Sequence, residues 1–219
     1  MGTGHGYRLI LFDLDGTLTD PKPGITRAVR YALERLGVSV GDPDTLTPFI
    51  GPPLHHSFAR YYGFDDERIR EAIRLYREYF EATGLYENAV YPGIPQMLHR
   101  LHAAERRLVV ATSKPTIYAQ RIVDHFGLGA YFARVVGSEL DMTRSDKAEV
   151  IAEALGSFPE VVHDGVVMVG DREHDILGAR AHHLDAIGVA YGYGSRAELE
   201  AAGAAAIADT VADLADLLR

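Results

Sequence analysis

Tyr7-Arg8-Leu9-Ile10-Leu11-Phe12-Asp13-Leu14-Asp15-Gly16-Thr17 is the stretch from which the rest of the chain can be read. Its apolar run has no polar alternation, which predicts a strand over residues 7–12 covered on both faces. Two carboxylates follow at once, and residues two apart on an extended chain point the same way. Held near 4 Å in a medium of effective dielectric about 20, two such charges repel by roughly 4 kcal/mol. A fold accommodates that with a cation between them or by keeping one carboxyl protonated. Gly16 and Thr17 then offer backbone N–H groups at a turn, a shape suited to an anion. On its own the pentapeptide also fits an Asp-rich turn that merely ends a strand.

Further along, short runs rich in Val and Ile alternate with segments of helical period. Residues 108–111, 134–137, 165–169 and 186–190 read as strands, and 95–104, 117–126, 147–155 and 175–182 as helices. That alternation predicts an α/β fold with a doubly wound parallel sheet. Residues 24–86 break the rhythm. Ile25, Ala28, Val29, Ala32, Leu33 and Leu36 fall at helical spacing, as do Ile69, Ile73, Tyr76 and Phe80, with no convincing strand between. The expected organisation is a core of residues 1–18 and 89–219 and a small all-helical cap domain, 19–88, inserted after the first strand.

Three more strand ends carry chemistry. Residues 108–111 end in Thr112-Ser113-Lys114-Pro115, where hydroxyls and N–H groups before a helix can hold a phosphoryl oxygen or serve as ordinary N-caps. Lys147 opens a helix, where the dipole disfavours a cation unless something anionic is near; a solvated surface lysine is the alternative. Residues 166–169 end in Gly170-Asp171, and Asp175 follows four residues later on the same helical face. Asp171 and Asp175 can complete an oxygen site for a hard divalent cation, or act as a cap and a first-turn acid. With no Cys in the chain, oxygen ligation points to Mg²⁺ rather than Zn²⁺.

Taken together and in this order, these motifs resemble those of the haloacid dehalogenase superfamily (HAD) of phosphohydrolases. The resemblance covers essentially the whole chain and implies a Rossmannoid core with a helical cap of that family's first type. It implies that Asp13 attacks phosphorus to form an aspartyl-phosphate, and that Asp15 protonates the leaving oxygen and later activates water. Thr112, with Ser113 beside it, and Lys147 would hold phosphoryl oxygens. Mg²⁺ would be bound by Asp13, the backbone carbonyl of Asp15 and Asp171, with Asp175 supporting its shell. Ser113 stands where many relatives carry Asn, and Lys147 lacks a following Pro. Asp15 favours the phosphatases, because haloacid dehalogenases proper lack that second Asp. The start of the chain and Phe49-Ile50-Gly51-Pro52-Pro53-Leu54 look like the phosphoglycolate phosphatase-like branch, whose relatives include nucleoside monophosphate phosphatases. Pyrophosphate and β-phosphoglucomutase-like chemistry remain alternatives. Pro52, Leu54 and His55 are the cap residues expected near the leaving group.

Composition sets the outer limits. The 219 residues are 47% hydrophobic and 24% charged, enough for a sizeable core. A net charge of −9 argues against a nucleic-acid polymer as partner and leaves a small phosphorylated metabolite. No apolar run reaches the roughly 18 residues that a bilayer span needs. Absence of Cys and of an apolar N-terminal segment suits a cytoplasmic protein. Gly192-Tyr193-Gly194-Ser195-Arg196-Ala197 fits Gly-x-Gly-x-x-Ala, yet too little chain follows for a dinucleotide fold; a flexible loop at the rim of the site is expected. A receiver-type phospho-acceptor would be shorter and lack the cap.

Overall fold

The computed structural model describes residues 6–141 and 143–219. In chain order the elements are β1 (Leu9–Phe12), β2 (Thr19–Asp20), α1 (Lys22–Arg35), α2 (Leu54–Tyr62), α3 (Asp66–Tyr79), β3 (Ala89–Val90), α4 (Ile94–Ala103), β4 (Arg107–Pro115), α5 (Thr116–His125), β5 (Arg134–Ser138), α6 (Lys147–Gly156), β6 (Val166–Gly170), α7 (Glu173–Ala181), β7 (Asp185–Val189), α8 (Arg196–Ala202), β8 (Ala206–Ala208) and α9 (Val211–Leu217). The chain divides into two compact units, residues 1–19 with 90–219, and residues 20–89.

The larger unit is built on a six-stranded sheet in the order β5-β4-β1-β6-β7-β8. Every neighbouring pair is parallel, as the unbroken apolar runs predict. Leu9, Ile10, Leu11 and Phe12 of the central strand are all fully buried, so both faces are covered. One face carries Leu9, Leu11, Val109, Ala111 and Met168, packed with Val150 and Ile151 of α6 and Ile176 of α7. Burying a side chain of this size contributes roughly 1.5–3 kcal/mol. The strands at residues 7–12, 108–111, 134–137, 165–169 and 186–190 and the four core helices are found within a few residues of expectation. β8 is an addition: residues 201–206 look merely Ala-rich, yet Ala206–Ala208 adds an edge strand to β7.

In the smaller unit, α1 packs on α3, and Ile25, Val29 and Leu33 of the first and Ile69, Ile73 and Tyr76 of the second are buried. Phe49, Phe58 and Phe64 form an aromatic cluster, with ring centroids 5.0 and 5.9 Å apart in successive pairs. Pro53 precedes α2, which opens on Leu54 and His55. The chain passes between the units at β2 and β3, which pair as a two-stranded sheet. No helix among the described residues is long and apolar enough to cross a membrane.

Candidate active site

Phe12, the last residue of β1, pairs in register with Val110 of β4 and Val169 of β6. Asp13, Thr112 and Asp171, one or two residues past these partners, are therefore gathered towards the carboxyl ends of the three strands. β1 is also where the strand order reverses, β4 and β5 lying on one side and β6 to β8 on the other. Crevices at the carboxyl ends of such a switch point are where open α/β sheets bind ligands.

Lys147 joins the cluster from the first residue of α6. Its Nζ lies 2.9 Å from Asp13 Oδ1 and 2.7 Å from Asp175 Oδ1, and donates to the Ala111 carbonyl at 3.1 Å. The side chain is only 4% exposed. Burial works against its charge, but Asp13 and Asp175 hold its pKa above the ordinary lysine value. The two carboxylates thus offset the unfavourable helix dipole at this position. Asp175 Oδ2 also accepts from the Arg172 N–H at 3.1 Å. Burial, countered by Lys147 and reinforced by Asp13, pushes the Asp175 pKa up to about 6.

Asp171 is 1% exposed, and burial together with Asp175 and Asp13 holds its pKa well above the usual carboxylate value. Its Oδ2 accepts from the Tyr193 N–H at 2.8 Å, while Oδ1 is buried without a hydrogen-bond partner. Asp15 pairs with Lys114, Oδ2 to Nζ at 2.9 Å, and burial leaves its pKa raised despite that cation. Asp13, Asp15, Asp171 and Asp175 are four buried carboxyls, and Lys147 and Lys114 bring two ammonium side chains with little exposure. Fully ionised, the group is short by two positive charges. Asp13, Asp171 and Asp175 each offer an oxygen, all within 4.8 Å of one another. An oxygen-only donor set with a deficit of two charges fits a hard divalent cation.

The remaining residues are distributed as follows. Thr112 is buried, and its Oγ1 accepts from the Lys114 N–H at 3.3 Å. Ser113 is tied to the end of β5, its carbonyl accepting from Ser138 Oγ at 2.8 Å. The expectation that the Gly16 and Thr17 N–H groups face an anion is not met. They donate within their own turn, Gly16 to the Thr19 carbonyl at 2.8 Å and Thr17 to the Leu14 carbonyl at 3.3 Å. Gly16 answers a different need: its φ is +81°, and a Cβ there would lie 2.2 Å from Asp171 Oδ2. Thr17 Oγ1, by contrast, is buried with no hydrogen-bond partner. Pro52, Leu54 and His55 belong to the helical unit.

The family model for haloacid dehalogenase-like hydrolases matches residues 10–189. The chain belongs to that family. It is 50% identical to a 5′-nucleotidase of Pseudomonas aeruginosa over 195 residues, covering 89% of this chain and 88% of that protein. It is 41% identical to the tyrosine-protein kinase PtkA of Mycobacterium tuberculosis, over 87% of this chain and 65% of that protein. A crystal structure from Clostridium acetobutylicum, described as a predicted phosphatase, superposes with a TM-score of 0.94 at 47% identity, covering 97% of this chain and 98% of that one. The expectation of a phosphatase of this family, carried by an α/β parallel sheet, is thereby met.

Sequence reading missed the segment at residues 192–194. A flexible rim loop is expected there, yet it is packed against Asp171 and the Gly16 turn. A Cβ at Gly192 would lie 2.4 Å from both Asp171 Cβ and the Gly16 carbonyl oxygen, and Tyr191 Oη donates to the Thr17 carbonyl at 3.0 Å. The signal was present as two glycines flanking one residue, but nothing in their spacing says which carboxylate they approach. Gly192→Ala must push Asp171 and the Gly16 turn apart. Disturbing the groups behind a metal ligand typically costs about 10–100-fold in affinity, so any Mg²⁺ that Asp171 holds is expected to bind more weakly by that order in calorimetry. Gly156→Ala, where a Cβ meets nothing within 4 Å, is expected to leave Mg²⁺ binding unchanged.

Proposed function

We propose that this phosphatase hydrolyses a small-molecule phosphate monoester in two steps, through a phosphate carried on Asp13, and that it depends on Mg²⁺. The observation that carries the reading is the buried set of four carboxyls and two lysines at the strand ends, short by two positive charges. In the first step an Asp13 carboxylate oxygen attacks phosphorus, the bond to the ester oxygen breaks, and Asp15 gives that oxygen a proton. In the second, Asp15 takes a proton from water, which attacks the same phosphorus. The bond to Asp13 breaks, inorganic phosphate leaves and the carboxylate is restored. Thr112 and Lys147 hold phosphoryl oxygens throughout, and Lys147 also restrains Asp13. Asp13, Asp171 and the Asp15 carbonyl would hold the cation, with Asp175 behind them, and its charge would offset that of the phosphoryl oxygens. Splitting a very slow hydrolysis into two displacements, each electrostatically supported, is what this reaction needs.

For the leaving group, the 50% identity to a 5′-nucleotidase favours a nucleoside monophosphate, whereas the likeness of residues 49–54 to phosphoglycolate phosphatases favours a small acid. Phosphate release from a panel of nucleoside monophosphates, phosphoglycolate, sugar phosphates and pyrophosphate separates these. Sugar-phosphate isomerisation without phosphate release would show mutase chemistry, and label transferred from the phospho-protein to a tyrosyl peptide would show a kinase. Release from none of the esters would overturn the reading.

Metal dependence carries a thermodynamic prediction. EDTA is expected to stop turnover and Mg²⁺ to restore it. At a Mg²⁺ concentration 100 times its Kd the folded protein should gain about 2.7 kcal/mol, worth roughly 5–10 °C in Tm for a chain of this size. Because the raised carboxyls bind protons that compete with the cation, the gain should shrink as pH falls through about 6, where Asp175 titrates. Thermal melts with and without Mg²⁺ at pH 5 and 8 check this; an equal gain at both would contradict it.

A further inference from the structure

Lys114 follows the phosphate-binding Thr112 by two residues and has no part in the chemistry derived so far. Its ammonium reaches Asp15 Oδ2 at 2.9 Å, and the two side chains are only 6% and 9% exposed. The other oxygen of the same carboxyl, Oδ1, is buried and has no hydrogen-bond partner. One oxygen of Asp15 is therefore gripped and the other left over. The grip is backed by a fixed main chain. The register of β4 with β5 shifts between Ala111 and Pro115, so Lys114 leaves the regular ladder. Thr116 Oγ1 accepts from the Gly137 N–H at 3.0 Å and Ser138 Oγ donates to the Ser113 carbonyl, which fastens both sides of Lys114 to the end of β5. A Cβ at Gly137 would lie 2.2 Å from the Lys114 carbonyl oxygen, so only glycine permits this approach.

We infer that Lys114 is a positioning residue for Asp15: by holding Oδ2 it fixes the rotation of the carboxyl and leaves Oδ1 as the atom that exchanges a proton with the leaving group. The inference rests on the two-step mechanism proposed above and adds a residue to it. Lys114 makes no bond to the reacting atoms and acts through Asp15. Its removal therefore matters in proportion to how much a leaving group needs a proton. An alkoxide needs one badly, and a dinitrophenolate hardly at all.

The test compares kcat/KM, which reports steps up to departure of the leaving group, for 2,4-dinitrophenyl, 4-nitrophenyl and phenyl phosphates. General acid catalysis is worth about 10²–10⁴-fold. Lys114→Met is accordingly expected to lose at least about tenfold more on phenyl phosphate than on the dinitrophenyl ester. Asp15→Asn should show the same pattern. In the Asp15→Asn background, Lys114→Met should add little to the loss on any ester. Lys114→Arg should recover much of the wild-type leaving-group dependence. Lys114→Gln keeps a donor without the charge and supplies a second variant, with the same selective loss, if methionine impairs folding in a thermal melt. Equal losses on all three esters, or multiplicative losses in the double variant, would mean that Lys114 holds the substrate or the fold instead, and the inference would be wrong. In that case the wild type would still release phosphate. If the wild type released none, the proposed function itself would have failed, so the two failures are distinguishable.

Discussion

Asp13→Asn is expected to abolish phosphate release, by about 10⁴–10⁶-fold in kcat, the scale seen when a catalytic nucleophile is removed. The amide has nearly the shape of the carboxylate but no lone pair of comparable nucleophilicity and no charge. The loss should fall on every ester alike, because every leaving group is displaced by the same nucleophile. Stability is expected to move the other way or not at all. Asp13 is one of four buried carboxyls facing two lysines, and Lys147 keeps Asp175 at 2.7 Å when Asp13 is gone. Removing one of two uncompensated charges relieves repulsion in the metal-free protein. A thermal melt in EDTA should therefore show a Tm equal to or above that of the wild type. A direct readout accompanies the kinetics: acid-quenched wild type incubated with labelled substrate should carry phosphate on Asp13, and the variant should carry none. Turnover near the wild-type rate would be falsifying for an aspartyl-phosphate route.

Why this cluster could be foreseen, while its wiring could not, follows from the range of the signals. β1, β4 and β6 are buried on both faces, so they leave unbroken apolar runs, and the polar residue that ends each run marks its carboxyl end. Parallel pairing in register then brings Asp13, Thr112 and Asp171 together without further information. Lys147 was legible for another local reason, a cation where a helix dipole is positive. The partners are a different matter. Asp15 and Lys114 are 99 positions apart on two strand ends, and nothing in the sequence near either says that they meet. Gly192 likewise approaches Asp171 across a loop whose glycines are equally at home in a flexible turn. The turn at Gly16 looks suited to an anion, but a tight turn satisfies its own N–H groups first, here on Thr19. β8 escaped because three residues of Ala and Ile at an edge strand carry too little apolar pattern to register.

Lys147→Met is expected to have the second large effect, on stability and activity together. Lys147 is the shared partner of Asp13 and Asp175, so a neutral side chain of similar length leaves two buried carboxylates facing each other. Breaking a buried pair from one side typically costs about 3–5 kcal/mol. The cost should depend on pH in a defined direction. The Asp175 pKa is already raised from 3.8 to about 6 with Lys147 in place, and without the lysine it rises further. A carboxyl whose folded pKa lies above its unfolded value takes up a proton on folding within that window, so stability falls as pH rises through it. The variant should therefore lie much further below the wild type at pH 8 than at pH 5, where protonation of Asp175 removes one of the two charges. Lys147 itself stays charged over this range, so it adds no slope of its own. Urea unfolding in EDTA at the two pH values checks the difference, and a gap that did not change with pH would show that the cost is packing rather than charge. Lys147→Arg should rescue poorly. Gly178 leaves only the room that a lysine stem needs, since a Cβ there would already lie 2.9 Å from Lys147 Cγ. A planar guanidinium has no way to sit between two carboxylates and the Ala111 carbonyl in the space of a single ammonium.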